Sequence, residues 1–270
     1  MPSYILAKSR FSRGNMPKFT KPSREDLVRV WQSVKEPLLT IGFVLVATTA
    51  IARPYYIPSG SMEPTLQIGD DVVTAKYAYG YSRYSLPFAL GPSSDHRLME
   101  RLPKRGDIAV FIPPSEPGRN LIKRVIGLPG DHIQMVNGRL WINGKQLPLS
   151  PAGTAQMQNA DGSYVAVPKF TETLPNGVKH AILKWRDNGF MDNTAVDVVP
   201  KGHLFMMGDN RDNSLDSRVP VDAGGIGYIP VENLVGRSEV ILGSVDYLNA
   251  SGVWAWPAEL RLSRFFKSVR

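Results

Sequence analysis

The sequence predicts a mostly β protein: an N-terminal transmembrane helix, then a curled antiparallel β-sheet domain that carries an inserted smaller β lobe. Three observations predict it. Residues 37–52, PLLTIGFVLVATTAIA, form an uncharged run bounded by Glu36 and Arg53. Beyond Pro58 the chain is a series of short apolar, β-branched and aromatic runs broken by Gly, Pro and Asn, which is the pattern of strands and turns. Between Ile57 and Ala250 no amphipathic helical period stands out.

The uncharged run is the first element. A spanning helix needs about 20 apolar residues, so the anchor is expected over 37–57, with Arg53 snorkelling and Tyr55 and Tyr56 at the interface. Val28, Val30, Trp31 and Val34 can continue the helix at its other end. Basic residues precede the run, which puts residues 1–36 in the cytoplasm and everything after the anchor outside it. Two other readings compete: a buried helix, and a cleavable signal peptide with Ala50-Ile51-Ala52 as its small-x-small site. The long segment before the run argues against cleavage.

The extracytoplasmic domain is expected over 58–250. Strands are expected at 71–76, 107–112, 121–126, 132–136, 139–142, 204–207 and 238–242. Asn137-Gly138 joins two of these runs and signals a hairpin. Residues 82–104 read as a surface loop, rich in Ser, Pro and Arg. Residues 146–200 are richer in polar and turn residues and read as the inserted lobe. At the end, 251–270 combines Trp254, Trp256, Phe265 and Phe266 with basic side chains, as an interfacial segment does. A terminal element packed on the β-domain is the alternative.

Composition narrows the chemistry. The chain has no cysteine, which excludes disulfides and thiol nucleophiles. Four dispersed histidines, His96, His132, His180 and His203, form no metal-ligand spacing. No metal and no other cofactor is expected. The net charge is +8. Residues 1–37 contribute +5 of it and residues 251–270 contribute +3, leaving the body neutral. Charge confined to the ends points to anionic membrane lipid rather than nucleic acid.

Three segments carry candidate chemistry. In IPSGSMEPTL (57–66), two serines flank a glycine between prolines, a loop able to present a hydroxyl and nearby oxyanion donors. In NLIKRVIGLPGD (120–131), Lys123 stands inside an apolar strand. Burial without a carboxylate partner depresses a lysine pKa and makes the amine a usable base. GDNRDNSLDSR (208–218) leaves the apolar run at 204–207 as a polar loop. It fails as a calcium loop: counted from Asp209, position 6 is Ser214 rather than Gly, and position 12 is Pro220 rather than Glu. Internal Asp–Arg pairing is expected instead.

Together these segments, with Gly69-Asp70 and the anchor ahead of them, resemble the type I signal peptidases. The resemblance implies a membrane-bound serine endopeptidase that removes signal peptides from exported preproteins, cleaving after Ala-X-Ala-like sites. It implies Ser61 as nucleophile and Lys123 as general base. Ser59 then joins the Ser61 N–H in the oxyanion hole, and Ser214 orients the lysine. Asp209, Arg211, Asp216 and Arg218 become the supporting loop. Ile57, Met62, Leu66, Leu121 and Ile122 are candidate walls of the substrate pocket. The resemblance gives Asn120 no role. It also implies a bacterial cytoplasmic membrane location with the catalytic domain on the periplasmic side. Other Ser–Lys peptidases, pilin-processing or self-cleaving repressor-like, are the nearest alternative, although the anchor argues against a cytoplasmic repressor. A non-catalytic tethered binding module is a more distant one, against which the intact Ser61, Lys123 and Ser214 argue.

Overall fold

The computed structural model describes residues 23–46, 48, 51–85 and 97–269. The chain divides into two compact units after Val44.

The first unit is dominated by helix α1 (Arg24–Val46). Ser23 and Asp26 start it with a reciprocal cap: Asp26 N–H donates to Ser23 Oγ at 3.1 Å, and Ser23 N–H donates to Asp26 Oδ2 at 3.1 Å. No residue of α1 is buried, and Trp31, Leu39, Ile41 and Phe43 are exposed. The charged residues of α1, Arg24, Glu25, Asp26, Arg29, Lys35 and Glu36, all lie ahead of Pro37. Among the described residues no helix is long and apolar enough to cross a membrane. The expected anchor over 37–57 is corrected at its far end. Residues Ala52–Tyr56 form strand β1 rather than helix, paired along its length with β2 (Asp70–Ala75), Arg53 opposite Thr74 and Tyr55 opposite Val72. A β-branched partner strand satisfies the backbone there. Ala50 of the candidate cleavage site and residues 86–96 of the 82–104 loop lie outside the described residues.

Among the described residues from Ala52 onward the second unit is built of β-strands and short 3₁₀ turns. Its main sheet has seven strands in the order β1-β2-β14-β3-β4-β12-β13. Here β3 is Ile108–Phe111, β4 Leu121–Gly127, β12 His203–Met207, β13 Ile229–Pro230 and β14 Leu234–Ser244. All neighbours run antiparallel. Register shifts interrupt β14 on both sides and β12 at Phe205/Met206. Bulges of this kind sharpen twist and curl the sheet. Each of the seven runs expected from sequence overlaps a strand.

Two smaller sheets complete the unit. One has the order β11-β5-β6-β7, where β7 is Lys145–Gln146 and β11 is Asp197–Val198, with β5 (His132–Val136) and β6 (Arg139–Ile142) closed by Asn137 and Gly138, both at positive φ. The other is β10-β9-β8, where β8 is Leu149–Gln158, β9 Tyr164–Thr173 and β10 Lys179–Leu183. The main sheet buries apolar side chains on two faces. Ala109 and Phe111 of β3 join Val125, Leu204 and Met206, while Ile108 joins Ile57, Met62, Leu66, Val72 and Ile241.

The C-terminal residues dock on the sheet. Ile241 N–H donates to the Lys267 carbonyl at 2.9 Å, and Val269 is buried in the core. Arg264 is bound to Asp70, with contacts of 2.9 and 2.6 Å. Arg261 pairs with Asp246 at 3.2 Å. Folding uses both arginines internally, as in the alternative of a terminal element packed on the β-domain. Trp254, 94% exposed, and Phe266 remain on the surface.

Candidate active site

The loop after β1 tightens into a 3₁₀ turn at Gly60–Met62, entered from extended Ser59. Ser61 sits at its centre and is 9% exposed. Two bonds from one buried residue fix the turn. Asn210 N–H donates to the Ser61 carbonyl at 3.1 Å, and its Nδ2 donates to the Gly60 carbonyl at 3.0 Å. Met62 and Leu66, both fully buried, pin the turn to the core.

Lys123 enters from the middle of β4, opposite Ala109 of β3. It is 4% exposed, and its Nζ is hydrogen-bonded to Ser61 Oγ. Burial is the main cause that pushes its pKa down, to about 8; Arg218 adds to the depression, whereas Asp216 and Asp209 oppose it. Ser59 Oγ lies 3.4 Å from Ser61 Oγ. A hydroxyl, an amine close to neutrality and a second hydroxyl thus converge on one point.

The loop after β12 closes the site from the other side. At Gly208 a side chain would collide with both Ser214 Oγ and the Ser61 carbonyl, so only glycine lets the loop approach this closely. Ser214 Oγ is buried there without a hydrogen-bond partner, and Lys123 bonds to Ser61 rather than to it. Asp216 accepts Gly208 N–H at 3.0 Å and binds Arg218 through two contacts of 2.8 Å. Burial alone would raise the Asp216 pKa, but Arg218 overrides it and holds the carboxyl below its usual range.

The expected internal pairing of this loop holds for Asp216 and Arg218 only. Asp209 is bound instead by Arg124 of β4, at 2.8 and 2.6 Å, with Thr65 Oγ1 donating at 2.5 Å. Arg211 binds Glu172 of β9. The pairs therefore tie the loop outward to two sheets rather than closing it on itself. The reason is burial: each guanidinium lies almost wholly inside the protein and needs a carboxylate where β4 and β9 meet the loop.

The five candidate pocket residues do not form one wall. Ile57, Met62, Leu66 and Ile122 belong to one cluster, while Leu121 packs against the other. The groove beside the serine turn is lined by different residues, among them Ser59, Gly60, Trp185 and Tyr247. Sequence reasoning missed Asn210, Glu172 and Glu63. Asn210 lies inside the polar motif and could have been singled out there. Glu172 and Glu63 gave no signal, since their partners are distant in sequence. The described residues contain no group of three or more His, Cys, Asp or Glu arranged to hold a metal ion.

Residues 30–242 match the family model described as signal peptidase, peptidase S26. This chain belongs to that family. Signal peptidase I of Rickettsia typhi is 37% identical over 265 residues, covering 90% of this chain and 97% of its own. Signal peptidase I of Rickettsia akari is 37% identical over 246 residues, covering 85% and 89%. A crystal structure of a signal peptidase I from Enterococcus faecalis V583 covers 51% of this chain and 97% of its own, at 22% identity and a TM-score of 0.29. Membership of the S26 signal peptidases makes this chain a serine endopeptidase, a hydrolase.

Proposed function

We propose that this signal peptidase removes signal peptides from exported preproteins by acyl transfer, with Ser61 as nucleophile and Lys123 as general base. The observation that carries the reading is the buried hydrogen bond between Lys123 Nζ and Ser61 Oγ. In its neutral form the amine accepts the Ser61 proton as the hydroxyl attacks the scissile carbonyl. Its pKa near 8 leaves a working neutral fraction at physiological pH. The Ser61 N–H and Ser59 Oγ stabilise the oxyanion, at about 3 kcal/mol for a well-placed donor. The ammonium then returns the proton to the leaving amine, and water, deprotonated by the same lysine, releases the acyl group from Ser61. Ser214 acts as the orienting group for Lys123, and the loop of Asp209, Arg211, Asp216 and Arg218 as its support. Cleavage follows Ala-X-Ala-like sequences, and no cofactor takes part.

The enzyme is held at the bacterial cytoplasmic membrane, with residues 1–36 cytoplasmic and the β-domain on the outer side. The anchor lies ahead of strand β1, in the segment that begins in α1 and carries the uncharged run from Pro37, and exposed Trp254 and Phe266 touch the lipid surface. Residues 146–200 form the inserted lobe.

A cleavage assay on an exported precursor tests the reading. Ser61→Ala and Lys123→Met should each abolish processing while far-ultraviolet circular dichroism stays unchanged. Processing retained by either variant would refute the dyad.

A further inference from the structure

Asp212 lies inside the 208–218 motif but takes no part in supporting the lysine. Its carboxylate faces away, accepting the backbone N–H groups of Trp185 and Arg186 at 2.7 Å each and Lys184 Nζ at 2.8 Å. The motif that packs behind Ser61 therefore also fixes the start of a second segment, just after β10. That segment and the serine turn face each other across a groove of about 480 Å³, within the size range of ligand clefts. Ser59 and Gly60 form one wall. Trp185, Arg186 and Asn213 form another, and Tyr247 contributes to the lining. A peptide held at Ser61 and continuing past Ser59 runs into this groove.

Arg186 gives the groove its charge. Its side chain is exposed and forms no ion pair with any described residue, Asp187 included. The nearby carboxylates are already occupied: Asp212 by the three donors above, and Asp246 by Gln158, Tyr164, Asn249 and Arg261. The backbone of Arg186 is fixed by Asp212 while its guanidinium stays free. That combination suits recognition of a chain passing through the groove.

Building on the proposed peptidase activity, we infer that the groove is a substrate subsite adjoining Ser61 and that Arg186 is a specificity-determining residue, selecting an acidic side chain in the preprotein near the cleavage point. The test uses the full-length enzyme and precursor peptides in which a single Glu, or a single Lys, is moved through each position on both sides of the scissile bond. At one position the wild-type enzyme should prefer Glu over Lys by about three- to fivefold in kcat/KM, the size expected of an exposed ion pair. Arg186→Glu should reverse that preference, and Arg186→Lys should preserve its direction. A Glu-to-Lys ratio that is the same in wild type and Arg186→Glu at every position would overturn the assignment while leaving the peptidase reading intact. A wild-type enzyme that cleaves none of the peptides would overturn both.

Discussion

Arg124 grips Asp209 through two nitrogens, with both side chains fully buried. Arg124 directly follows Lys123 on β4, and Asp209 directly precedes Asn210, whose backbone and side chain hold the Ser61 turn. One ion pair therefore sets the spacing between the strand carrying the amine and the loop holding the hydroxyl. Removing one partner strands the other charge in the interior, at about 3–5 kcal/mol. Asp209→Ala should lower the unfolding free energy measured by urea titration by that much and reduce kcat by more than KM rises. Arg124→Lys keeps a charge but loses the two-point grip, so it should lose activity with a smaller stability cost. Unchanged kcat in both variants would show that the pair does not position the dyad.

The pH dependence follows from Lys123. Burial lowers its pKa to about 8, and only the neutral amine accepts a proton. Processing should fall about tenfold per pH unit below that value and level off above it. A kcat/KM profile from pH 6 to 9.5 checks this. Activity that stays constant down to pH 6 would contradict a lysine base.

The sequence made the β-domain readable because its strands are short apolar runs punctuated by turn residues, and such local signals survive folding. Lys123 was legible for a related reason: a charge inside the run at 121–126 demands an explanation. The partners of Asp209 and Arg211 were not legible. Spacing suggested Asp–Arg pairs within the loop, but the pairing is decided by which strands lie alongside it, and β4 and β9 reach it only through sheet topology. The same holds for residues 52–56. Their hydropathy suits a helix at a membrane edge, yet pairing with β2 makes them a strand. Glu63 sits two residues from Ser61, and nothing local in the sequence reveals that it is buried.

Buried Lys123 should cost the fold stability even as it serves the chemistry. Its pKa falls from 10.5 unfolded to about 8 folded. Between those values the unfolded chain binds more protons, so stability rises as pH increases from 8 to 10.5. Below pH 8 the full penalty applies, at most about 3 kcal/mol. Lys123→Met fills a similar volume without a charge. It should therefore be inactive yet more stable than wild type at pH 7, with the difference shrinking toward pH 10.5. Urea unfolding at pH 7, 9 and 10.5 measures this, and a variant less stable at pH 7 would refute it.

Glu63 presents the opposite sign. It is fully buried beneath Gly60, Oε2 has no hydrogen-bond partner, and Oε1 accepts only a long 3.4 Å bond from Gln158 N–H. Burial raises its pKa from 4.5 to about 7, and the charges of Arg261 and Arg264 only partly offset this. Between those values the folded state holds the proton that the unfolded chain has released. Wild-type stability should therefore decline as pH rises from 4.5 to 7, with the penalty fully present above 7 and at most about 3 kcal/mol. Glu63→Gln cannot ionise and can donate where the protonated acid would. It should match wild type near pH 4 and exceed it at pH 8. Because Glu63 packs directly under the Ser61 turn, the gain above pH 7 should appear as slower amide hydrogen exchange at Gly60 and Ser61 as well as a higher urea midpoint. A Glu63→Gln protein whose advantage over wild type is the same at pH 4 and pH 8 would show that ionisation of this carboxyl does not strain the turn.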